Sequence, residues 1–529
     1  MDGGVRGWVS YSQVGSTVTG AWDSPPADEA ASLELADVGR LARRAVRGVV
    51  RAARAGAGAT LSSMLRSHLG DGGAELPVVE EAWPAYEHVN VQAGLDAWLG
   101  EEGREHRLVG VIGFQHREFG LAELLGGEDA GPMGMGLRPG NVARANLPSG
   151  PDGEVRACVR CGLYLISDGA QHTALLLRGV EQHSAHDGVT VQIVSTRPGQ
   201  AARVASRVRA LAVEHNVFRG QVLSFGGEVF GHGQSLLQFH RRPSMTAADL
   251  ILRADVLAAV QRQVVEVARH KAQLLAAGQH LKRGLLLYGP PGVGKTHTVR
   301  YLTASLTDTT VIQLTGNALH LIGEACSVAR ALAPSMLVVE DVDLIADDRG
   351  MYPGQHPMLF QLLNEMDGLA EDADVVFVLT TNRADLLEPA LAARPGRVDQ
   401  AVELAVPDAD GRRALFDLYR AGLDVDTSRL DDVLTRTDGV TASFLKELLR
   451  RAAVFAAEHA DGTADLGAPL RVSADDLDAA LDELLHTRNA MTRVLLGGKR
   501  AGAAIHDERE PGARVGSAQL PDDVAPGVA

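Results

Sequence analysis

The chain has 529 residues, 45% of them hydrophobic and 22% charged, enough for several domains with buried cores, which excludes a single small module. Lys and Arg number 51 against 67 Asp and Glu, and the resulting net charge of -16 argues against general attraction to nucleic acid or anionic lipid. Three cysteines are too few for a disulfide scaffold and suit a reducing compartment.

The first residues lack the basic stretch and apolar run of a signal peptide, and no apolar run approaches the ~18 residues of a membrane-spanning helix, so a cytoplasmic protein without membrane contact is expected. Residues 33–69 read as helical: Leu35, Val38, Leu41, Val46 and Val49 recur at helical spacing, and Arg40, Arg44, Arg47, Arg51 and Arg54 form a stripe beside them. Such a helix either contacts phosphate, lipid or an acidic partner, or simply solvates the outer face of a packed helix. Residues 125–153 are rich in Gly, Pro, Asn and Asp and read as a linker, so 1–150 is taken as a helical and irregular N-terminal region.

Strand-like runs over 162–167, 173–177, 189–195 and 218–225, with a helix over 199–215, predict an α+β accessory domain at 151–241. Within it Cys158 and Cys161, in C-V-R-C-G, have the look of a zinc knuckle, with His172, His183 and His186 downstream. No second cysteine pair follows, and two small residues near a strand is the competing reading.

From 247 to 485 the pattern changes. Short apolar strands over 285–288, 311–314, 336–339 and 375–379 alternate with helical stretches, as in a parallel sheet buried on both faces. After Pro407 the chain reads as wholly helical, with a capping box at Ser473 and Asp476. The expected divisions are an α/β subdomain at 242–406, a helical lid at 407–490 and a disordered tail at 491–529, rich in Gly, Ala, Pro and acids.

Gly289-Pro290-Pro291-Gly292-Val293-Gly294-Lys295-Thr296, followed by His297, has the form G-x-x-x-x-G-K-[ST] between a strand and a helix. Glycines let backbone N–H groups curl around phosphate oxygens, and the following helix presents its positive end to them. Lys295 supplies a point charge and Thr296 a hydroxyl ligand for Mg²⁺. The second predicted ingredient is acid: Glu340, Asp341 and Asp343 follow the strand over 336–339, at the end where open parallel sheets bind ligands. One acid would hold hydrated Mg²⁺ and the next would orient the attacking water.

In order, GPPGVGKT, VVEDVD, NEMDGL, LTTNRADLLEPAL and RPGRVD resemble the AAA ATPases, P-loop NTPases with a second region of homology. The resemblance covers about 247–485. It implies an α/β core with a helical lid, ATP and Mg²⁺ as ligands, a homohexameric ring and a protein substrate, here chosen by the N-terminal half. The scarcity of lysine beside abundant Ala, Gly and Arg resembles the coding bias of a GC-rich bacterium. Lys295 and Thr296 fall on the Walker A pair, and Glu340 and Asp341 fall on the Walker B acids in inverted order. That order, similar to the mitochondrial translocase of the Rieske protein, puts Glu340 with Thr296 on the metal side and the shorter Asp341 on the water side. Misplacement by ~1 Å can cost ~100-fold in rate, so slow turnover follows as an alternative, that of a nucleotide-gated scaffold or switch.

Asn382 falls on the sensor 1 position, and Arg394 and Arg397 fall on the arginine fingers offered to a neighbouring subunit. In the lid, Thr441-Ala442-Ser443-Phe444-Leu445 carries no sensor 2 arginine, leaving nucleotide contact there to small groups. Leu321 stands where many unfoldases have a gripping aromatic, and the helix after it is short, which weighs against peptide threading. There is no H-E-x-x-H. A third alternative, nucleic-acid remodelling through the arginine stripe, would show salt-dependent binding. A chain starting near Arg242 is expected to keep ATP binding and lose partner capture.

Overall fold

The computed structural model describes residues 60–101, 103–116, 118–127, 136–179, 188–226, 236–346, 357–368, 373–387, 398–460 and 468–486. The chain divides into two units, 1–60 and 61–529. The arginine stripe, Arg394, Arg397 and the C-terminal tail lie outside the described residues.

The N-terminal part is built on an antiparallel sheet of seven strands: β1 (Val79–Pro84), β2 (Arg104–Ile112), β3 (Arg138–Gly140), β4 (Ala143–Pro148), β5 (Val155–Asp168), β6 (Gln171–Arg178) and β7 (Gly188–Ser195). Their order is β1-β7-β6-β5-β2-β3, with β4 also on β5. Alternate residues of β5 serve opposite cores, Leu163 and Leu165 on one face and Tyr164 and Ile166 on the other. Helices Leu61–Leu69 and Leu121–Gly126 cover the first face. Helices His88–Leu99 and Gln200–Glu214 cover the second, and touch at Gly94, where a Cβ would lie 2.5 Å from Ala212 N.

This corrects the expected boundaries. The α+β unit begins near residue 61, not 151, and the supposed linker over 125–153 contributes β3 and β4. Strands such as Arg-Pro-Gly are too short and too polar to carry a period-two pattern, and they exist only because β2 and β5 offer them edges. The cysteine pair is also resolved: three residues apart on one strand, Cys158 and Cys161 face opposite cores, so they do not converge on one point. Burial pushes the Cys158 thiol up to about 12, well away from a metal-binding thiolate.

A second sheet has the order β14-β10-β13-β12-β11-β8-β9. Its strands are β8 (Val222–Gly226), β9 (Leu236–His240), β10 (Arg283–Tyr288), β11 (Thr310–Leu314), β12 (Ser335–Val339), β13 (Val375–Thr381) and β14 (Gln400–Glu403). All neighbours are parallel except β8 and β9. Leu286, Ile312, Leu337 and Phe377 point into one core with helices Ile322–Ala331 and Pro357–Asp367. Leu285, Leu287, Val311, Met336 and Val376 point into the other, with helices Ala254–Gln261 and Lys295–Ser305. Burial on both faces explains why these strands read as continuous apolar runs.

The sequence pattern assigns 218–225 to the accessory domain, whereas in the structure β8 pairs with β11 and extends the central sheet. Phe218, Leu223, Phe225 and Leu237 lie in the same core as Ile312 and Leu314, and Val89 and Cys158 of the N-terminal part pack there too. Arg242, the expected start of the α/β subdomain, is tied into it: its guanidinium donates to the carbonyls of Thr303, Leu306, Thr309 and Gly220.

The C-terminal helices Ala409–Tyr419, Leu430–Arg436, Ala442–His459 and Ala474–Leu485 enclose a separate core around Phe416, Phe444 and Leu448. The capping box is formed: Ser473 N donates to Asp476 Oδ2 at 2.9 Å and Asp476 N to Ser473 Oγ at 3.1 Å. The lid is not wholly helical, because β15 (Leu423–Val425) and β16 (Leu470–Val472) pair in parallel. Three residues are too few to announce a strand by pattern.

Candidate nucleotide site

The strand order gathers the motifs. β10 runs into the glycine loop, its neighbour β13 ends at Thr381, and β12, on the far side of β13, ends at Val339 before Glu340 and Asp341. Residues some 90 apart in sequence therefore meet at the carboxyl ends of adjacent strands.

The loop needs its glycines. Gly289, Gly292 and Gly294 have φ of 146°, 82° and 108°, a region L side chains avoid. A Cβ at Gly289 would also lie 2.2 Å from Leu404 O. Pro290 and Pro291 are exposed on the loop, while Val293 is buried in the core beside Val299 and Leu302. Lys295 is buried and its ammonium donates to Gly289 O (2.8 Å), Pro290 O (2.9 Å) and Asn382 Oδ1 (2.8 Å). Burial lowers its pKa, and the carboxylates of Asp341 and Asp343 oppose that shift.

Asn382 is the bridge. Its Nδ2 donates to Asp341 Oδ1 at 3.2 Å while its Oδ1 accepts from Lys295. An ammonium can only donate and a carboxylate only accept, so the amide orientation is fixed by chemistry. Asp341 has φ 52°, the one non-glycine residue with positive φ among the described residues. Aspartate tolerates that region better than most residues, and neighbouring bonds hold it there: Asp341 N to Thr380 Oγ1, Glu340 N to Leu314 O and Val342 N to Thr380 O.

Glu340 is turned the other way. It is hydrogen-bonded to Thr296, while its Oε1 is buried and accepts no hydrogen bond from the described residues. Burial raises its pKa; the Thr296 bond acts against that and the charge of Asp341 reinforces it. A buried, unsatisfied carboxylate oxygen beside a hydroxyl is a fitting pair of ligands for a small hard cation. His297, in the first turn of the helix, has its imidazole held below the usual range by burial and by Arg300 and Lys446, with Asp249 opposing.

The motifs contain two further contributors, Asp343 and Ser443, without giving either a partner. Asp343 accepts from Thr381 Oγ1 and Asn382 N, and Ser443 of the lid donates its N–H to Gly292 O at 3.1 Å. Their partners, Thr381 at a strand end and Gly292 in the loop, lie 38 and 151 residues away in sequence, so only the fold identifies the contacts. Alanine at Gly292 would place its Cβ 2.9 Å from both Thr441 Oγ1 and Ser443 Oγ. Gly292→Ala is expected to weaken ATP binding by at least about tenfold, about 1.4 kcal/mol, through strain at positive φ and a displaced lid. Equilibrium titration with ATP checks this. Leu321 is half-buried against the central core rather than extended from it, and the following helix has only ten residues.

Residues 285–406 match the family described as "ATPase family associated with various cellular activities (AAA)". ATP-dependent zinc metalloprotease FtsH 4 of Sphaerobacter thermophilus is 31% identical over 319 residues, covering 56% of this chain and 47% of that protein. Proteasome-activating nucleotidase of Methanosphaerula palustris is 33% identical over 211 residues, covering 37% of this chain and 51% of its own length. The chain thus spans about half the length of these curated relatives. No helix among the described residues is long and apolar enough to cross a membrane. With the glycine loop, the acids and the polar strand end converging on one point of a parallel sheet, residues 285–406 carry a domain of the AAA ATPase family.

Proposed function

We propose that the chain is a cytoplasmic, Mg²⁺-dependent ATPase that assembles as a ring, by family a homohexamer, and remodels a protein partner selected by its N-terminal half. The observation that carries this reading is the linked set Lys295–Asn382–Asp341, with Glu340 and Thr296 beside it. Lys295 would meet the β- and γ-phosphates, with the loop amides and the N-terminus of the Lys295–Ser305 helix around them. Thr296 and Glu340 would hold Mg²⁺, which supplies charge neutralisation on the phosphate oxygens. Asp341, on the water side and hydrogen-bonded to Asn382, would accept the proton of the attacking water while Asn382 fixes the direction of attack.

Arg394 and Arg397 are proposed to complete the site of a neighbouring subunit, where such an arginine contributes ~10³ to 10⁵ in rate. Specific activity is then expected to rise with protein concentration. Arg397→Ala and Lys295→Ala chains, each inactive alone, should regain activity when mixed, because one keeps the phosphate loop and the other the arginine. A monomer with concentration-independent turnover would sink the ring.

A second reading, a slow nucleotide-gated scaffold, draws on the retracted position of Leu321 and the shortened Asp341. Steady-state phosphate release separates the two: remodelling requires turnover that rises with bound partner, a scaffold does not.

A further inference from the structure

We infer that Asp343 is the positioning residue that aims Asn382, and so governs the rate of hydrolysis without contacting nucleotide. The inference rests on the proposed ATPase reading and adds a residue to which the motifs give no role.

One carboxylate oxygen organises the whole end of β13. Thr381 Oγ1 donates to Asp343 Oδ1 at 2.8 Å, and Asn382 N donates to the same oxygen at 3.3 Å. With its proton committed to Asp343, the Thr381 hydroxyl accepts from Arg383 N at 2.9 Å. Thr381 is fully buried, so this hydroxyl has a single arrangement in which both bonds are satisfied. The backbone from Thr381 to Arg383 is thereby wound around Asp343, and the Asn382 side chain leaves it pointing between Lys295 and Asp341. Asn382 itself is exposed, so hydrogen bonds rather than packing hold it: its backbone N–H to Asp343, and its side-chain amide to Lys295 and Asp341. The spacing also explains why Asp343 lies two residues beyond Asp341: the left-handed turn at Asp341 and the bond from Val342 N to Thr380 O bring residue 343 back against β13. Without Asp343, the glycine loop and the bonds from Lys295 to the carbonyls of Gly289 and Pro290 remain, but the amide that orients the water loses its aim.

The test uses the full chain and reads ATP turnover and equilibrium ATP binding separately. Asp343→Ala is expected to lower kcat at least about tenfold while the Kd for ATP stays within about threefold, the signature of an interaction that matters in the transition state. Asp343→Asn should recover most of the activity, because the amide oxygen still accepts both bonds. On an Asn382→Ala background, Asp343→Ala should cost less than about twofold more, since the two changes disable one device. Should Asp343→Ala unfold in a thermal melt, Thr381→Val removes the 2.8 Å donor and should show the same kcat loss and the same dependence on Asn382. Effects that multiply fully with Asn382→Ala, or an affinity that falls in step with turnover, overturn the positioning role while leaving the ATPase reading in place. An unaltered chain that binds ATP without hydrolysing it overturns the ATPase reading itself.

Discussion

Lys295→Ala is expected to abolish measurable nucleotide binding, whereas Asp341→Asn should bind ATP within about threefold of the parent and lose hydrolysis by at least about 100-fold. The two changes act on different charges. Lysine at 295 is the buried cation of the loop, and its ammonium is already organised by three acceptors, so alanine removes both the charge and the contact that links the loop to Asn382. Asparagine at 341 still offers an oxygen to Asn382 Nδ2, so the strand ends keep their shape, but it can no longer take a proton from water. Glu340→Gln should differ from both: with its Thr296 contact and buried oxygen, it is expected to lose the Mg²⁺ dependence of ATP binding. Equilibrium binding with and without Mg²⁺, together with phosphate release, checks all three. Parent-rate hydrolysis by Asp341→Asn and none by Glu340→Gln would mean that the inverted acids have exchanged roles.

A chain truncated to begin at Arg242 is expected to aggregate rather than bind ATP, the reverse of what the motif boundaries suggest. The cut removes β8 and β9 and with them the buried side chains of Phe218, Leu223, Phe225 and Leu237. At about 1.5–3 kcal/mol each, their loss amounts to roughly 6–12 kcal/mol, comparable to the whole stability of a domain at ~5–15 kcal/mol. It also leaves β11 as a bare edge, since Val311 N loses Gln221 O and Thr310 Oγ1 loses the N–H of Gly220. A chain beginning near Asn216 retains both strands and is expected to stay soluble and bind ATP, with partner capture lost if the N-terminal part performs it. Size-exclusion chromatography and thermal melts of the two truncated chains decide the matter. A soluble, cooperatively melting chain from Arg242 would show that the N-terminal strands are dispensable to the central sheet.

The nucleotide site was legible in the sequence because its chemistry demands fixed residue types at fixed spacing. A phosphate loop cannot dispense with Gly289, Gly292, Gly294 and Lys295, and strands buried on both faces must be apolar runs, so β10 to β13 announce themselves within a residue or two. What the sequence could not convey was who neighbours whom. β8 reads like any short apolar strand, and nothing local distinguishes pairing with β7 from pairing with β11; its placement was decided by Phe218 and Phe225 finding the core of the central sheet. Cys158 and Cys161 invite a metal reading by their spacing, and only the strand, which turns them to opposite faces, removes it. Asp343 and Ser443 stand in stretches that the sequence singles out, but their hydrogen-bond partners exist only once β13 and the lid helix arrive beside them. Local physics determines composition, periodicity and loop chemistry, but a hydrogen bond between residues 343 and 381, or 292 and 443, exists only after the sheet has closed and the lid has docked.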